Sequence, residues 1–399
     1  MQRPIPEIPE MLSQLIAAPS VSSASPDWDT SNEEVIALLA QWLGSLGFQT
    51  ETMPVPEAPG KFNLIATLGQ GPGGLVLSGH TDTVPFDDKR WHTDPFRMNE
   101  RDGRWYGLGT CDMKGFFPLA LEAALSVLGL PLQAQASKEP VLKEPLIILA
   151  TADEESAMSG ARALVEAGRP KGRYAVIGEP TSMRPVRMHK GIMMERLAMT
   201  GSSGHSSDPA LGSNAMEGIH EALTSLLAYR DELQQRYRHD GFRVAVPTLN
   251  PGHIHGGDNP NRICGECELH FDLRPLPGMD VDQLREEIRV RVEAVARTRQ
   301  LECLFEPLFP GNPPFEQKAD SALVRLCEQM TGHAAESVAF ATEAPFLQQL
   351  GMEVVVMGPG SIDQAHQPDE YLALAELMPA LDVLKGLIAR CCLSGPETS

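Results

Sequence analysis

The sequence has few basic residues for its length. Its 399 residues include 33 Lys and Arg against 53 Asp and Glu, which gives a formal net charge of -20. Surfaces that bind nucleic acid or an anionic membrane need a positive field, so this charge balance argues against both classes of partner. The charge balance does not exclude neutral or cationic small molecules as ligands.

The sequence also lacks the patterns typical of secretion and membrane insertion. Its start, MQRPIPEIPEML, contains no apolar signal core, and even the apolar stretch FFPLALEAALSVLGL is interrupted by Glu122. A membrane span needs about 20 apolar residues. The seven cysteines are an odd number without the spacing of a disulfide framework. We therefore expect a cytoplasmic protein that does not cross a membrane.

Short apolar runs alternate with helical segments over much of the chain, and apolar residues, at 42%, suffice for two domains. The predicted strands are NLIATLG (63–69), GLVLSG (74–79), PLIILATA (145–152), YAVIG (174–178) and EVVVMG (353–358). Continuous apolar strands are typical of a sheet covered on both faces. Residues 1–186 and 300–399 are thus predicted to form one discontinuous α/β domain. The Pro/Ala/Gln-rich segment 131–145 is expected to be a surface excursion without chemistry.

The middle segment, residues 187–299, has a different pattern. Its alternating and helical stretches follow a β-α-β-β-α-β order, which predicts an inserted α+β domain of the ferredoxin-like type. Within the strand at 262–273, one face would carry Gly265, Cys267, Leu269 and Phe271 and the other Cys264, Glu266, Glu268 and His270. We expect the second face to be wet or to pair with another subunit.

Imidazoles and carboxylates follow the predicted strands at their carboxyl ends, where ligands bind in open α/β sheets. In chain order these residues are His80 with Asp82, Glu154 with Glu155, Glu179 and His366. A glycine-rich loop, GLGTCDMKG (107–115), adds Asp112 just before a predicted helix. This donor set suits Zn, Co or Mn, and a central Asp suggests two ions about 3.5–4 Å apart. Acids that only cap helices or pair with Arg are the alternative.

The adjacent pair Glu154 and Glu155 is the most informative part of this set. A metal hydrolase needs one carboxylate on the metal and another, unligated, to take a proton from water. Neighbouring residues on a turn point in different directions and can divide these two tasks.

Several strings resemble the M20 family of dinuclear-metal amidohydrolases and peptidases. They are GHTDTVP (79–85), GLGTCDMKG (107–115), ATADEES (150–156), GEPT (178–181) and the late His366. The match is collinear and spans nearly the whole chain. Further strings, such as GSSGHSSDPALGSNAME (201–217), ATEAPF (341–346) and GPGSIDQAHQPDEYL (358–372), look like the branch that deacetylates N2-acetyl-L-ornithine. The resemblance implies a phosphorylase/hydrolase-like catalytic domain with an inserted lid or dimerisation domain.

The resemblance also implies a role for individual residues. One zinc would be held by His80, Asp112 and Glu179, and the other by Asp112, Glu155 and His366. Glu154 matches the general acid and base, and Asp82 matches the acid that orients the imidazole of His80. His205, in GSSGHSSDP, matches a lid histidine that reaches the partner's active site and donates to the oxyanion.

The expected function is metal-dependent hydrolysis of the N2-acetyl amide of an acetylated amino acid, acetylornithine, in arginine biosynthesis. The expected assembly is a homodimer formed through the inserted domain, with two divalent ions, Zn or alternatively Co. Arg262, with Asn261 beside it, is a candidate for the substrate carboxylate because guanidinium offers a two-pronged donor. Glu343 is a candidate for the distal ammonium. Their structural alternatives are a salt bridge for Arg262 and a helix-start acid for Glu343.

Other members of the family are the competing functions: a succinyl-diaminopimelate desuccinylase, a general aminoacylase, a dipeptidase or a carboxypeptidase. A catalytically silent metal-binding or regulatory protein on the same fold is a further alternative. Outside the main set, His253 and His255 alternate on a predicted strand, and two ligands without a nearby acid favour a lid or dimer surface over a metal site. Cys264 and Cys267 form a lone CxxC without the second pair that a zinc ribbon needs.

Overall fold

The computed structural model of the chain describes residues 3–87, 89–129 and 142–393. These residues form two compact units. The first contains the chain up to Arg187, Gln317–Glu336 and the residues from Thr342 onwards, and the second contains Met188–Glu316 and Ser337–Ala341. Most of the predicted surface excursion at 131–145 lies outside the described residues.

The helices and strands of the described residues are, in chain order, α1 (Ile8–Ala17), α2 (Glu33–Ser45), β1 (Gln49–Pro54), β2 (Phe62–Leu68), β3 (Leu75–His80), β4 (Asn99–Arg101), β5 (Arg104–Tyr106), α3 (Phe116–Leu128), β6 (Leu146–Thr151), α4 (Ser159–Ala167), β7 (Tyr174–Pro180), β8 (Val186–His189), β9 (Met193–Thr200), α5 (Ala215–Arg236), β10 (Thr248–Gly256), β11 (Glu266–Arg274), α6 (Val281–Arg299), β12 (Glu302–Pro307), β13 (Phe315–Glu316), α7 (Ala322–Thr331), β14 (Glu336–Val338), α8 (Ala344–Gln349), β15 (Glu353–Gly358), β16 (Tyr371–Ala373) and α9 (Leu374–Ile388).

A mixed sheet forms the centre of the first unit. Its strands include the run β1-β2-β6-β3-β7-β15, in which β6, β3, β7 and β15 are parallel while β1 and β2 run antiparallel at one edge. Every residue of β3 and β6 is buried, as is typical of strands covered on both faces. Each of the five predicted apolar runs forms one of these strands, which confirms the predicted α/β class with a sheet that is covered on both faces.

The helix α3 anchors the loop that precedes it. Most of its residues are buried, and it packs against α1 and α9. The loop begins directly after β5, which is the middle strand of the three-stranded sheet β16-β5-β4. The loop over residues 107–115 is therefore held on both sides by regular structure.

The second unit is an antiparallel four-stranded sheet of order β10-β11-β9-β12 with α5 and α6 packed on one face. In β11, Cys267, Leu269 and Phe271 are buried against these helices, while Glu268 and His270 lie on the opposite, partly exposed face. The element order β9-α5-β10-β11-α6-β12 and this division of faces within β11 are those predicted from the sequence. Cys264, predicted on the same face as Glu268, instead precedes β11 and is buried in the core.

The second unit extends beyond the predicted end at residue 299. The strand β12 pairs with β9, with Cys303 opposite Met199 and Phe305 opposite Leu197. A strand that completes this sheet belongs to the second unit, whose main segment therefore ends at Glu316. No helix in the described ranges is both long and apolar enough to span a membrane.

Candidate metal centre

Two imidazoles and four carboxylates converge at the carboxyl edge of the central sheet. His80 ends β3 and Glu179 lies at the end of β7, so the hydrogen bonds of the sheet fix the positions of both. Glu154 and Glu155 lie on the turn after β6, Asp112 precedes α3, and His366 follows a 3-10 turn after β15.

A first group of potential ligands surrounds His80. The Nε2 atom of its ring lies 3.1 Å from Asp112 Oδ1 and 3.9 Å from Glu179 Oε1. All three side chains are buried. One donor atom from each lies within 4.8 Å of the others, which is close enough for one cation to reach all three.

A second group surrounds His366. Its Nε2 atom lies 3.0 Å from Glu155 Oε2 and 3.5 Å from Asp112 Oδ2, and the three residues again lie within reach of one cation. Asp112 thus presents Oδ1 to the first group and Oδ2 to the second. A carboxylate that faces two ligand groups with different oxygens has the position of a bridge between two ions.

Glu154 differs from Glu155 in its neighbours. It falls into a group with His80 and Glu155, and the charges of Glu179 and His80 act on it more strongly than that of Glu155. Glu155 instead makes its hydrogen bond to His366. The two adjacent acids therefore have different partners in the centre.

Crowding changes the acidity of these carboxyls. The pKa of Glu154 and of Glu179 is raised well above the usual value, first by removal from water and then, for Glu154, by the charge of Glu179. The pKa of Glu155 is also raised, by burial and by Asp112. For Asp112, burial also acts to raise the pKa, but the hydrogen bond from His80 and the charges of His80 and His366 together outweigh it, so its pKa is lowered.

The pKa values of both imidazoles are raised, although burial alone would lower them. Burial lowers the pKa of His80, yet its hydrogen bond to Asp112 and the charge of Glu179 raise it well above the usual value. The hydrogen bond to Glu155 raises the pKa of His366 to about 9. The pKa values of Glu154, Glu155 and Glu179 are raised first by burial and then by repulsion from neighbouring acids. Divalent cations would relieve that repulsion, so the donor set fits two such ions.

Asp82 contacts the centre in a way that the sequence does not predict. The Nδ1 atom of His80 lies 3.0 Å from the backbone carbonyl of Asp82 and 3.7 Å from its carboxylate. The carboxylate instead accepts hydrogen bonds from the backbone N–H groups of Glu154, at 3.2 Å, and Glu155, at 3.1 Å. Its backbone thus orients the imidazole, while its side chain holds the turn that carries both glutamates.

Glu370 is a residue of this site that sequence reasoning missed. It is buried, and its carboxylate accepts backbone N–H groups from Gly109 at 3.0 Å, Cys111 at 2.7 Å and Asp112 at 2.9 Å. Burial and the nearby Asp112 raise its pKa to about 8. The only sequence signal was its position four residues after His366.

Glu343 lies on the same side of the sheet, at the start of α8. Its side chain is 1% exposed, its Oε2 atom accepts from the Thr151 hydroxyl at 2.8 Å, and its Oε1 atom is buried without a hydrogen-bond partner among the described residues. Burial raises its pKa to about 7. Its charge acts on Glu154 and Glu179, which places it near the centre.

Residues 76–390 match the model of a known family, described as peptidase family M20/M25/M40. The match covers more than half of the chain. The protein belongs to this family.

Curated relatives of this M20 chain are similar along their whole length. A protein of Pasteurella multocida (strain Pm70), named acetylornithine deacetylase, is 48% identical over 392 residues, which cover 97% of this chain and 99% of that protein. A protein of the same name from Proteus mirabilis (strain HI4320) is 47% identical over 394 residues, or 98% of both chains.

Solved M20 structures share the fold. An M20 family metallo-carboxypeptidase from Sulfolobus solfataricus matches with a TM-score of 0.74 at 17% identity, covering 96% of this chain and 99% of that one. A dinuclear metal binding peptidase of the M20 family from Bacillus subtilis matches with a TM-score of 0.64 at 16% identity, covering 95% and 96%. These likenesses support the fold class.

The remaining candidate residues of this M20 protein, His205, Asn261 and Arg262, lie together in the second unit. His205 and Arg262 form an isolated β-bridge, and Ser206 N–H donates to the Asn261 carbonyl at 3.1 Å. Arg262 forms an ion pair with Asp258 and is half exposed. The structure thus groups these three residues with one another and places the other candidates in the first unit.

The tautomer of His205 is fixed by its neighbour. Its Nδ1 atom accepts the backbone N–H of Ser207 at 3.2 Å and lies 2.8 Å from the Ser207 hydroxyl. A ring nitrogen that accepts an N–H group carries no proton, so the proton of the neutral ring is on Nε2. His205 therefore presents Nε2–H as a hydrogen-bond donor.

Proposed function

We propose that this protein hydrolyses N2-acetyl-L-ornithine to acetate and L-ornithine, as a cytoplasmic enzyme of arginine biosynthesis. The observation that carries the proposal is the pair of ligand groups that share Asp112, with Glu154 beside them. The relatives named acetylornithine deacetylase, at 47% and 48% identity over nearly the full length, support the choice of substrate.

We propose that two divalent ions, Zn or alternatively Co, bind in this centre. His80, Asp112 and Glu179 would hold one, and Asp112, Glu155 and His366 the other. Such ions, when bound, polarise an amide carbonyl and bring the pKa of water close to neutrality. Asp82 keeps Glu154 and Glu155 in place through the two backbone N–H groups.

Glu154 is the proposed general base and acid. Its carboxylate takes one proton from the attacking water, whose oxygen bonds to the carbonyl carbon of the acetyl group. The carbon–nitrogen bond then breaks, and Glu154 returns the proton to the amine nitrogen of ornithine. The raised pKa of Glu154, caused first by burial, makes its carboxylate a stronger base for the first of these steps.

Side chains outside the two ligand groups are proposed to recognise the substrate. Glu343 would bind the distal ammonium with the buried Oε1 atom that has no partner among the described residues. Arg262, with Asn261, would bind the α-carboxylate. His205, with its proton on Nε2, would donate to the oxyanion in the active site of the partner subunit of a homodimer.

A panel of N-acyl amino acids assayed with Zn- or Co-loaded enzyme tests this function. We expect the highest kcat/KM for N2-acetylornithine, with lower values for acetylmethionine, succinyl-diaminopimelate and a dipeptide. A preference for the succinylated substrate would make the protein a desuccinylase, and equal turnover of all acylated amino acids would make it a general aminoacylase. Metal binding without turnover of any of them would favour a silent metal-binding protein.

A further inference from the structure

The open face of the second unit carries a group of potential metal ligands apart from the candidate metal centre. His253 lies on β10 directly opposite His270 of β11, and Glu268 lies two residues before His270 on the same face. The rings of the two histidines are 4.7 Å apart between their centroids. One donor atom from each of the three residues lies within 4.8 Å of the others.

The distances in this group suit a small divalent ion. The Oε1 atom of Glu268 lies 3.6 Å from the Nε2 atom of His253 and 3.5 Å from that of His270. Ligand atoms around a tetrahedral zinc ion, with bonds of about 2.0–2.1 Å, are separated by about 3.4 Å. Two of the three separations thus already match such an ion.

The other oxygen of Glu268 is engaged by an arginine. Arg196, on the neighbouring strand β9, donates to Glu268 Oε2 at 2.8 Å and is itself paired with Glu306 at 2.7 Å. This pair holds the carboxylate so that Oε1 faces the two imidazoles. Groups that fix the orientation of a ligand in this way are typical of metal sites.

The ring of His270 has a donor atom available for an ion. Its Nε2 atom is shielded from solvent and makes no hydrogen bond within the part of the chain that the structure describes. A buried ring nitrogen without a partner is costly, and coordination would remove that cost.

We propose that His253, His270 and Glu268 bind one zinc ion, with water in the fourth position. The ion joins β10 to β11 next to the register shift between Pro251 and His253, where the ladder between the strands is irregular. The sequence offered only the pair His253 and His255, without a nearby acid. In the structure the register of β10 and β11 places His270, rather than His255, beside His253, and Glu268 is the nearby acid.

Zinc content per chain, measured in the full-length protein after dialysis against a buffered concentration of free zinc, tests the site. We expect the double variant His253→Asn/His270→Asn to hold one ion fewer than wild type, whatever number the candidate metal centre holds. His255→Asn is the matched control, because His255 lies on the same strand and its ring is stacked at 6.3 Å from that of His253. It should keep the wild-type zinc content.

The single variant His253→Asn separates loss of the ion from loss of folding. Its side chain is half exposed, so we expect this substitution to leave the fold intact. It should lose the same ion while its rate of acetylornithine hydrolysis stays at the wild-type level. Equal zinc content in wild type and the double variant would overturn the proposal. Loss of the ion from His255→Asn as well would also overturn it, because the ligands would then be different residues.

Discussion

At the scale of single residues, two adjacent glutamates with the same chemistry have different surroundings. Glu155 bonds to His366, whereas Glu154 is influenced mainly by burial and by Glu179. The side chain bonded to an imidazole of the centre is suited to be a ligand. The side chain with a strongly raised pKa and no such bond is suited to move a proton.

This difference leads to a prediction for Glu154→Gln. Because the amide cannot accept a proton, kcat should fall by about 10²–10⁴-fold. The metal content, measured by elemental analysis, should stay at the wild-type value. Glu155→Gln is the matched control and should lose metal. Metal loss from Glu154→Gln instead would mean that base and ligand are assigned the wrong way round.

Glu343→Gln tests the recognition of the substrate ammonium. A charge-assisted hydrogen bond contributes about 1.5–3 kcal/mol, so the ratio of acetylornithine to acetylmethionine turnover should fall by about tenfold or more. The measurement is kcat/KM for both substrates with the same enzyme preparation. An unchanged ratio would show that Glu343 has another role, such as the start of α8.

At the scale of elements, the sequence predicted the strands and the residues that follow them. Continuous apolar runs identify β2, β3, β6, β7 and β15, and parallel strands bring their carboxyl ends to one edge of a sheet. Local pattern does not reveal which backbone groups a distant carboxylate satisfies. Glu370 bonds to a loop 258 residues earlier in the chain, at Asp112, and no periodicity encodes that contact.

Strand pairing was also hard to predict. The helical pattern before residue 299 predicts the end of the insertion there, which places the segment at 302–307 in the first domain. Its pairing with β9 decides otherwise, and such a pairing depends on the register of two distant strands. The two roles of Asp82 likewise depend on contacts that only the folded structure shows, because its carbonyl and its carboxylate have different partners.

Glu370→Gln tests whether that distant carboxylate positions Asp112. Both oxygens of Glu370 accept N–H groups, and an amide would set a donor against one of them. We expect metal affinity, measured by competition with a chelator, to fall by about 10–100-fold. Asp369→Asn is the control, since Asp369 bonds to His92 instead. Unchanged affinity in Glu370→Gln would exclude the positioning role.

At the scale of the whole molecule, the acids of the centre link stability to pH when no metal is bound. In the folded protein the pKa of Glu343 is about 7 and that of Glu370 about 8, both above the value of about 4.3 expected in the unfolded chain. His366, at about 9 against 6.5, deviates in the same direction. The folded state thus binds more protons than the unfolded state across this range, so these groups stabilise it at low pH and lose that contribution as pH rises.

We therefore predict that chelation lowers the Tm more at pH 8.5 than at pH 5.5. Ions in the centre would stabilise the charged carboxylates, so the loaded protein should show a smaller decrease between the two pH values. Thermal unfolding with and without a chelator measures this difference. A chelated protein whose Tm rises over the same range would contradict the assignment of buried, uncompensated acids.

The proposed exchange of His205 between subunits predicts complementation. A mixture of Glu154→Gln and His205→Ala chains, unfolded and refolded together, would contain heterodimers with one intact site. With random pairing in a dimer, activity should return to about a quarter of the wild-type level. If His205 acts within its own subunit, the mixture stays as inactive as the separate variants.

The segment from His366 to Glu370 supplies a ligand of the second group and the acid that holds the loop of Asp112. Both follow His80 and Asp112 by more than 250 residues along the chain, so they are synthesised well after them. A nascent or truncated chain that ends before this segment can present only the first ligand group, around a loop that lacks the hydrogen bonds to Glu370. The pair of ligand groups thus forms only when this segment has been synthesised and has reached the edge of the sheet, so a bound pair of ions would report that the segment is in place.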